Sequence, residues 1–343
     1  MNFSDLAPAA LAACGFAPER IDPLPGDVSP RRYGRVRLAP GAIATPPTAI
    51  LAFYPEEIRP TAERYLRATA LLEGAGVPVP RVLAVDLSRG WMLIEDLGER
   101  TLAERDDLDD SGVAPYFRRA ADLGRRIASL PPAALLDEAT GEPWNPPLDG
   151  ALLRRELQQT WDLFLVPRGL LGSAGQERAI ATLFDEICAR LGAEPAVPCH
   201  RDYMARNLIP RAFAGSAGSG EIAVIDHQDL RFGPPRYDLA SLLNDTRFPS
   251  PALETEILAD SLVDPAEVES YHRAAAQRTL KAVGTFAKFA ERGVPRHLPL
   301  IPGTLGRALR ALAAIPEGAR IAPDLRDLWR PALLALPHQS AML

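Results

Sequence analysis

The run His200-Arg201-Asp202-Tyr203-Met204-Ala205-Arg206-Asn207, followed 24 positions after Asp202 by Asp226 in Ile225-Asp226-His227-Gln228-Asp229, constrains this chain more than any other stretch. Its first block fits H-R-D-x-x-x-x-N without a gap, the pattern in which the Asp accepts a hydroxyl proton and the Asn holds Mg²⁺ during phosphoryl transfer. The apolar run Ile222-Ala223-Val224-Ile225 then delivers Asp226 as a second oxygen ligand. A lone Asp202 would read as the cap of a turn; the complete block followed by Asp226 reads as a phosphoryl-transfer site. Such chemistry asks little covalent work of a protein, so Asp202 is expected to orient the attacking hydroxyl and take its proton late. Mg²⁺ takes hard oxygen donors, usually one or two from the protein, and Asn207 and Asp226 supply that number.

Other residues of these loops read as supports. His200 and Arg201 are expected to hold the loop through backbone hydrogen bonds, with Asp229 a further support. Asp238, at the turn into a helix in Pro234-Pro235-Arg236-Tyr237-Asp238-Leu239, reads as a cap or loop clamp.

A chain of 343 residues, 47% hydrophobic and 24% charged, is long enough for two packed lobes. The net charge of −6 argues against a nucleic-acid partner, whose phosphates require clustered cations. Cys14, Cys188 and Cys199 are odd in number and far apart, which suits reduced thiols in the cytoplasm. The alanine-rich stretch from Met1 to Phe16 lacks a basic leader segment and reads as a short helix, and no apolar run is long enough to span a membrane. A cytoplasmic monomer with no membrane partner is expected.

Strand-like alternation in Tyr33-Gly34-Arg35-Val36-Arg37-Leu38, the apolar run from Thr48 to Tyr54, and two further apolar runs at Val82–Val85 and Gly90–Ile94 predict a sheet. A helix starting near Thr61, with Ala62, Tyr65, Leu66, Thr69 and Leu72 at helical spacing, interrupts it and stops at Gly74-Ala75-Gly76. Helical patterns follow at Phe117–Leu130, Leu152–Phe164, Gln176–Leu191 and, with a break at Gly293-Val294-Pro295, Glu267–Ala313. The small residues from Ala212 to Gly220 read as a flexible hairpin tip. The fold expected is α+β and bilobal, a small β-rich lobe over residues 1–96 that binds nucleotide and a larger α-helical lobe over 97–343 that carries catalysis and the substrate.

Cys199 to Leu208, Val224 to Asp229, and Tyr237-Asp238-Leu239-Ala240-Ser241-Leu242-Leu243 together resemble the aminoglycoside phosphotransferase and choline kinase superfamily. Within it the chain is most similar to the bacterial anomeric sugar kinases of cell-wall recycling. Ser29–Val36, Met92–Gly98 and Gln277-Arg278-Thr279-Leu280-Lys281 resemble that branch as well. The resemblance implies a protein-kinase-like fold, ATP and Mg²⁺, and a small-molecule acceptor phosphorylated on a sugar hydroxyl, the C1 hydroxyl of N-acetylmuramate or N-acetylglucosamine.

The chain departs from the protein-kinase pattern in its first lobe, which has neither a glycine-rich phosphate loop nor a strand lysine: lysine occurs only at Lys281 and Lys288. Arg31 or Arg32 is expected to reach the nucleotide phosphates instead, because a guanidinium grips phosphate oxygens as a fork. Glu95 to Leu97 are expected to offer backbone groups to the adenine edge. For the acceptor sugar, Tyr203, Arg206, Arg155 and Glu156 are the candidate groove residues. Two other readings stay open. An aminoglycoside or other small-alcohol kinase would use an acidic groove, for which Asp106-Asp107-Leu108-Asp109-Asp110 is the dense acidic run, and a nucleotide-binding pseudokinase would explain the missing lysine.

Overall fold

The computed structural model describes residues 11–12, 14–24, 30–39, 47–211 and 220–334. The short helix expected from Met1 to Phe16 and the tip expected from Ala212 to Gly220 lie largely outside the described residues. Contacts divide the chain into two compact units, the first built from residues up to Arg100 together with Ile222–Asp229, the second from Thr101–Glu221 and Leu230 onward.

The first unit is an antiparallel sheet of β1 (Pro18–Leu24), β2 (Arg32–Leu38), β3 (Thr48–Phe53), β4 (Val82–Asp86) and β5 (Trp91–Glu95), in the spatial order β1-β2-β3-β5-β4. Period-two alternation gives it two apolar faces. Val36, Leu38, Ala49, Leu51 and Leu93 build a core on one face. Ala52 and Met92 face the other way and pack with Ala62 and Tyr65, both of which lie on helix α1 (Pro60–Gly74). Each large side chain of this kind contributes about 1.5–3 kcal/mol when fully buried. Proline in the first turn of α1 starts the helix where its missing N–H is harmless, and Gly76, at φ +69°, lets the chain turn back after it. The β4–β5 turn is fixed by Asp86, whose Oδ1 accepts from the Ser88 hydroxyl and the Arg89 N–H. Gly90 completes that turn at φ +72°; a Cβ there would lie 2.4 Å from the Tyr54 carbonyl.

The strand Ile222–Val224 and the turn after it belong to this unit although they are distant in sequence. Val224 N–H donates to the Pro78 carbonyl (2.8 Å), and buried His227 is held by Thr69, Nε2 to Oγ1 2.7 Å, with its ring 4.4 Å from that of Tyr65. Both partners of His227 sit on the inner face of α1.

The second unit is mainly helical: α2 (Asp110–Ala128), α3 (Gly150–Thr160), α4 (Ala174–Gly192), α5 (Tyr237–Leu243), α6 (Pro251–Ser261), α7 (Pro265–Glu291) and α8 (Ile301–Ala313). Side-chain caps start most of them, since the first N–H groups of a helix lack internal partners: Asp109, Asp149, Ser173, Ser250 and Asp264 each accept from the backbone three residues on. Asp109 therefore spends one of the acidic run's carboxylates on α2, and Asp106, Asp107 and Asp110 are exposed. The helix expected over Leu152–Phe164 changes at Thr160 into a π-turn, Trp161–Leu165. Its cause is a close approach to α7: Thr160 Oγ1 donates to the Leu280 carbonyl (2.7 Å), and a Cβ on Gly284 would lie 2.4 Å from that same Oγ1. Helix α7 buries Arg273, Gln277, Arg278 and Thr279. A helix that buries so much polar surface is organised around hydrogen bonds and ion pairs.

Candidate active site

In the second unit the strand Val197–Cys199, paired with Arg231–Gly233, leads into the loop that carries Asp202. Two N–H groups, of His200 (2.6 Å) and Arg201 (2.9 Å), donate to the carboxylate of Asp238 at the start of α5. That clamp holds Arg201 at φ +74°, a left-handed conformation that costs a non-glycine residue on the order of 1–3 kcal/mol. Burial raises the pKa of Asp238, a tendency its bonds to His200 and Arg201 only partly offset. The His200 side chain is fully buried, its ring edge-on to Tyr203. Asn207 Nδ2 donates to the Asp202 carbonyl (2.8 Å), which orients the amide.

The Asp202 carboxylate is 24% exposed and ringed by cations. Lys281 Nζ lies 3.3 Å and Arg278 3.6 Å from Oδ1, both reaching from α7, and Arg201 lies 3.9 Å from Oδ2. Burial alone would raise the Asp202 pKa, but Lys281, then Arg278 and Arg201, outweigh it and hold the group well below the usual carboxylate range. Asp202 is thus a permanent carboxylate at neutral pH, able to accept a hydrogen bond from a hydroxyl. Glu156 closes the ring: Arg201 donates to its Oε1 (2.9 Å) and Gln277 to its Oε2 (3.3 Å). Burial would raise its pKa too, yet Lys281 and Arg201 bring it below the ordinary value. Gln277 is oriented in turn by Tyr237, whose hydroxyl donates to its side-chain oxygen (3.1 Å).

Of the groove candidates, Tyr203 is corrected by the structure. It is 1% exposed and its hydroxyl donates to the Ala120 carbonyl (2.7 Å), so it anchors the loop to α2 and cannot face a sugar. Glu156 is engaged with Arg201 and Gln277. Arg206 is one-third exposed, 3.5 Å from buried Asp245, and Arg155 is exposed on α3.

In the first unit Asp226 follows its strand at φ +63°, the other non-glycine residue in the left-handed region among those described. Its Oδ1 accepts from Arg31 (2.9 Å) and from Gln228 Nε2 (2.8 Å). Asp229 is half-buried in the following turn. The pair Arg31–Asp226 separates the two phosphate candidates: Arg31 is tucked against Asp226, and Arg32 points to solvent. Arg35 serves a different purpose, bonding Asp96 (2.8 Å), Glu99 (2.8 Å) and the Gly98 carbonyl (3.2 Å), which pins the segment after β5. Glu95 is committed to Arg81 on both sides, its N–H to the Arg81 carbonyl and its carboxylate to Arg81 Nε, so it offers an adenine no N–H; Leu97 beyond it is half-buried.

The donor chemistry fits Mg²⁺. Asn207 presents an amide oxygen, and Asp226 keeps Oδ2 beyond the oxygen that Arg31 and Gln228 engage, both hard donors. Among the described residues no group of three or more His, Cys, Asp or Glu is placed to hold a metal, and Mg²⁺ bound largely by phosphate and water requires none. The residues that pattern alone did not assign are Lys281, Arg278, Gln277 and Asp245. A signal was present for three of them, because Gln277, Arg278 and Lys281 lie in the run that resembles the sugar-kinase branch, and Lys281 is one of two lysines in the chain.

Comparison with known proteins gives the family and the fold. The sequence pattern of the phosphotransferase enzyme family matches residues 20–276. The chain is 31% identical to an N-acetylmuramate/N-acetylglucosamine kinase of Pseudomonas aeruginosa, covering 91% of this chain and 89% of that one. It is 29% identical to a protein of the same name from Caulobacter vibrioides, over 86% and 88% of the two chains. Among solved structures it shares the fold of the ADP-bound aminoglycoside phosphotransferase APH(2'')-Ib, with TM-score 0.58 and 16% identity over 92% of this chain and 99% of that one. The choline kinase LicA of Streptococcus pneumoniae gives TM-score 0.54 and 15% identity, over 91% and 98%. The α+β, protein-kinase-like fold is that of these neighbours.

Proposed function

The chain belongs to the phosphotransferase enzyme family, and from that premise we propose that it is a cytoplasmic kinase of N-acetylated amino sugars. It transfers the γ-phosphoryl group of ATP to the C1 hydroxyl of N-acetylmuramate or N-acetylglucosamine, a step of cell-wall recycling. The observation that carries the acceptor is the 31% identity to the Pseudomonas aeruginosa kinase across 91% of the chain. Fold alone would not choose among sugars, choline and aminoglycosides.

Asp202 orients the acceptor hydroxyl and receives its proton. An anomeric hydroxyl is more acidic than an ordinary alcohol, so a carboxylate with a depressed pKa suffices for a proton that moves late. The hydroxyl oxygen forms the new P–O bond as the bond from the γ-phosphorus to the bridging oxygen of ADP breaks. Asn207 and Asp226 hold Mg²⁺, which when bound neutralises phosphate charge. Arg31 takes the place of the strand lysine in steadying phosphate; residues 1–96 form the nucleotide-holding lobe and 97–343 the catalytic lobe, apart from Ile222–Asp229, which pack with the first unit. Arg206 and Arg155 remain groove candidates for the sugar.

The test is ATP consumption with Mg²⁺ over N-acetylmuramate, N-acetylglucosamine, other hexoses, choline and kanamycin. Turnover of the two N-acetyl sugars is expected, with Asp202→Asn slower by roughly 10²–10⁴-fold, the usual worth of a positioned general base. Turnover of kanamycin alone would replace the acceptor, and no turnover of any acceptor would leave a nucleotide-binding pseudokinase.

A further inference from the structure

The two oxygens of Asp202 are treated differently. Oδ1 is engaged by Lys281 at 3.3 Å and approached by Arg278 at 3.6 Å. Oδ2 has Arg201 at 3.9 Å, beyond hydrogen-bonding distance, and so remains the oxygen for a hydroxyl. Two of the carboxylates nearby are also matched by cations. Glu156 is paired with Arg201 at 2.9 Å, and Asp245 has Arg206 at 3.5 Å and Arg278 at 3.8 Å. Four cations (Arg201, Arg206, Arg278, Lys281) thus stand against these three carboxylates (Glu156, Asp202, Asp245), while a fourth, Asp238, is buried with its oxygens taken by the His200 and Arg201 N–H groups. Among the described residues around Asp202 a positively charged acceptor meets only carboxylates that are already engaged, and Lys281 is the cation closest to Asp202.

The choice of lysine is itself informative. Lysine accounts for two of the 38 basic residues, at 281 and 288, so the other 36 are arginine. A guanidinium fork tends to take both oxygens of a carboxylate, whereas an ammonium is a point donor that can hold one and leave the other. Helix α7 presents this ammonium from a site only 13% exposed, one turn from Arg278 and Gln277.

We propose that Lys281 is a positioning and specificity-determining residue: it ties Oδ1 of Asp202 so that Oδ2 meets the acceptor, and its charge excludes cationic acceptors in favour of neutral or anionic ones. The proposal rests on the reading that Asp202 receives a sugar hydroxyl. It names the substrate class as amino sugars whose nitrogen is acylated, and it rejects the free amine.

The experiment compares N-acetylglucosamine with glucosamine, the same ring with an amide or an ammonium at C2, at pH 7 with Mg-ATP. Both kcat and KM are measured for wild type, Lys281→Met, Lys281→Gln and Lys281→Arg. Contacts to the N-acetyl group are common to all four proteins, so a change in the ratio of kcat/KM reports the charge. In Lys281→Met the glucosamine to N-acetylglucosamine ratio is expected to rise ~10-fold, equivalent to ~1.4 kcal/mol of removed repulsion, while kcat on N-acetylglucosamine falls. Lys281→Gln, which keeps a donor for Oδ1, should show the same ratio with kcat nearer wild type. Lys281→Arg should keep the wild-type ratio and lose kcat, because the fork engages Oδ2. An unchanged ratio in both Lys281→Met and Lys281→Gln, with the KM for ATP unaltered, overturns the role of Lys281 and leaves the sugar-kinase reading standing. Wild type that phosphorylates neither sugar overturns that reading, and this inference falls with it.

Discussion

Arg31 shows how much one side chain can settle. Two adjacent arginines precede and open β2, and sequence alone gave them equal standing as phosphate ligands. Strand geometry separates them, since neighbouring residues project to opposite faces. Arg31 reaches Asp226 (2.9 Å) and is 14% exposed, whereas Arg32 faces solvent. Arg31→Ala is therefore expected to raise the KM for Mg-ATP roughly 10-fold, the scale of one charge-assisted hydrogen bond, with Arg32→Ala within about twofold of wild type. Steady-state kinetics at saturating sugar separates the two, and an equal effect of both substitutions would return the phosphate contact to the arginine cluster as a whole. At this scale sequence offers candidates where the pattern is local, as in Asp202, Asn207 and Asp226. It was silent where the partner is remote: nothing in the pattern pairs Lys281 with Asp202, 79 positions away, or Arg35 with Asp96. Tyr203 was misjudged because a tyrosine beside a catalytic residue looks the same in sequence whether its ring faces ligand or core.

At the scale of elements, periodicity found the long helices, because an apolar stripe is written into consecutive residues. The π-turn at Trp161–Leu165 escaped, since its cause is the approach of Thr160 to Gly284 on another helix. The attachment of Ile222–Asp229 to the first unit escaped for the same reason, resting on Thr69 and Pro78. Helix α5 carries the most consequential of these remote links. Asp238 accepts two backbone N–H groups and thereby holds Arg201 in its left-handed conformation. Asp238→Ala leaves both donors unmatched in a buried loop, and a loss of about 3 kcal/mol in stability is expected from two hydrogen bonds to a charged acceptor. Activity should fall further than stability, since the strained loop is the one that aims Asp202. Urea unfolding beside kcat measurement tests this; full activity in a variant destabilised by that amount would make Asp238 a fold residue alone.

For the whole molecule, charge is balanced by burial in ways that pH can expose. Glu156 has an ordinary pKa of 4.5 that Lys281 and Arg201 lower in the folded chain despite its burial. A carboxylate with a depressed folded value adds stability above its unfolded pKa and loses it as pH falls through the folded one. The gap in melting temperature between wild type and Glu156→Gln should therefore be constant from about pH 7 to 5 and shrink below about pH 4. A gap that grew on acidification would mean that Glu156 is held protonated.

Nucleotide binding should appear in the same melting curves, because a ligand that binds only the folded chain stabilises it in proportion to its occupancy. At 100 times its dissociation constant, Mg-ATP adds about 2.7 kcal/mol, a rise of a few degrees for a chain of this size. Chelating the metal while keeping ATP should remove most of that rise if Asn207 and Asp226 hold the metal that neutralises the phosphates. Asp226→Asn exchanges a charged donor for a neutral one, and its curve with Mg-ATP is expected to match the wild-type curve with ATP and chelator. Arg31 complicates the substitution by losing its partner, so the metal-free melting temperature of Asp226→Asn serves as its own baseline. Asp202→Asn, which spares both proposed metal ligands, should keep the full metal-dependent rise while losing turnover. A metal-dependent rise that survives intact in Asp226→Asn would remove Asp226 from the magnesium site and leave Asn207 as its protein ligand.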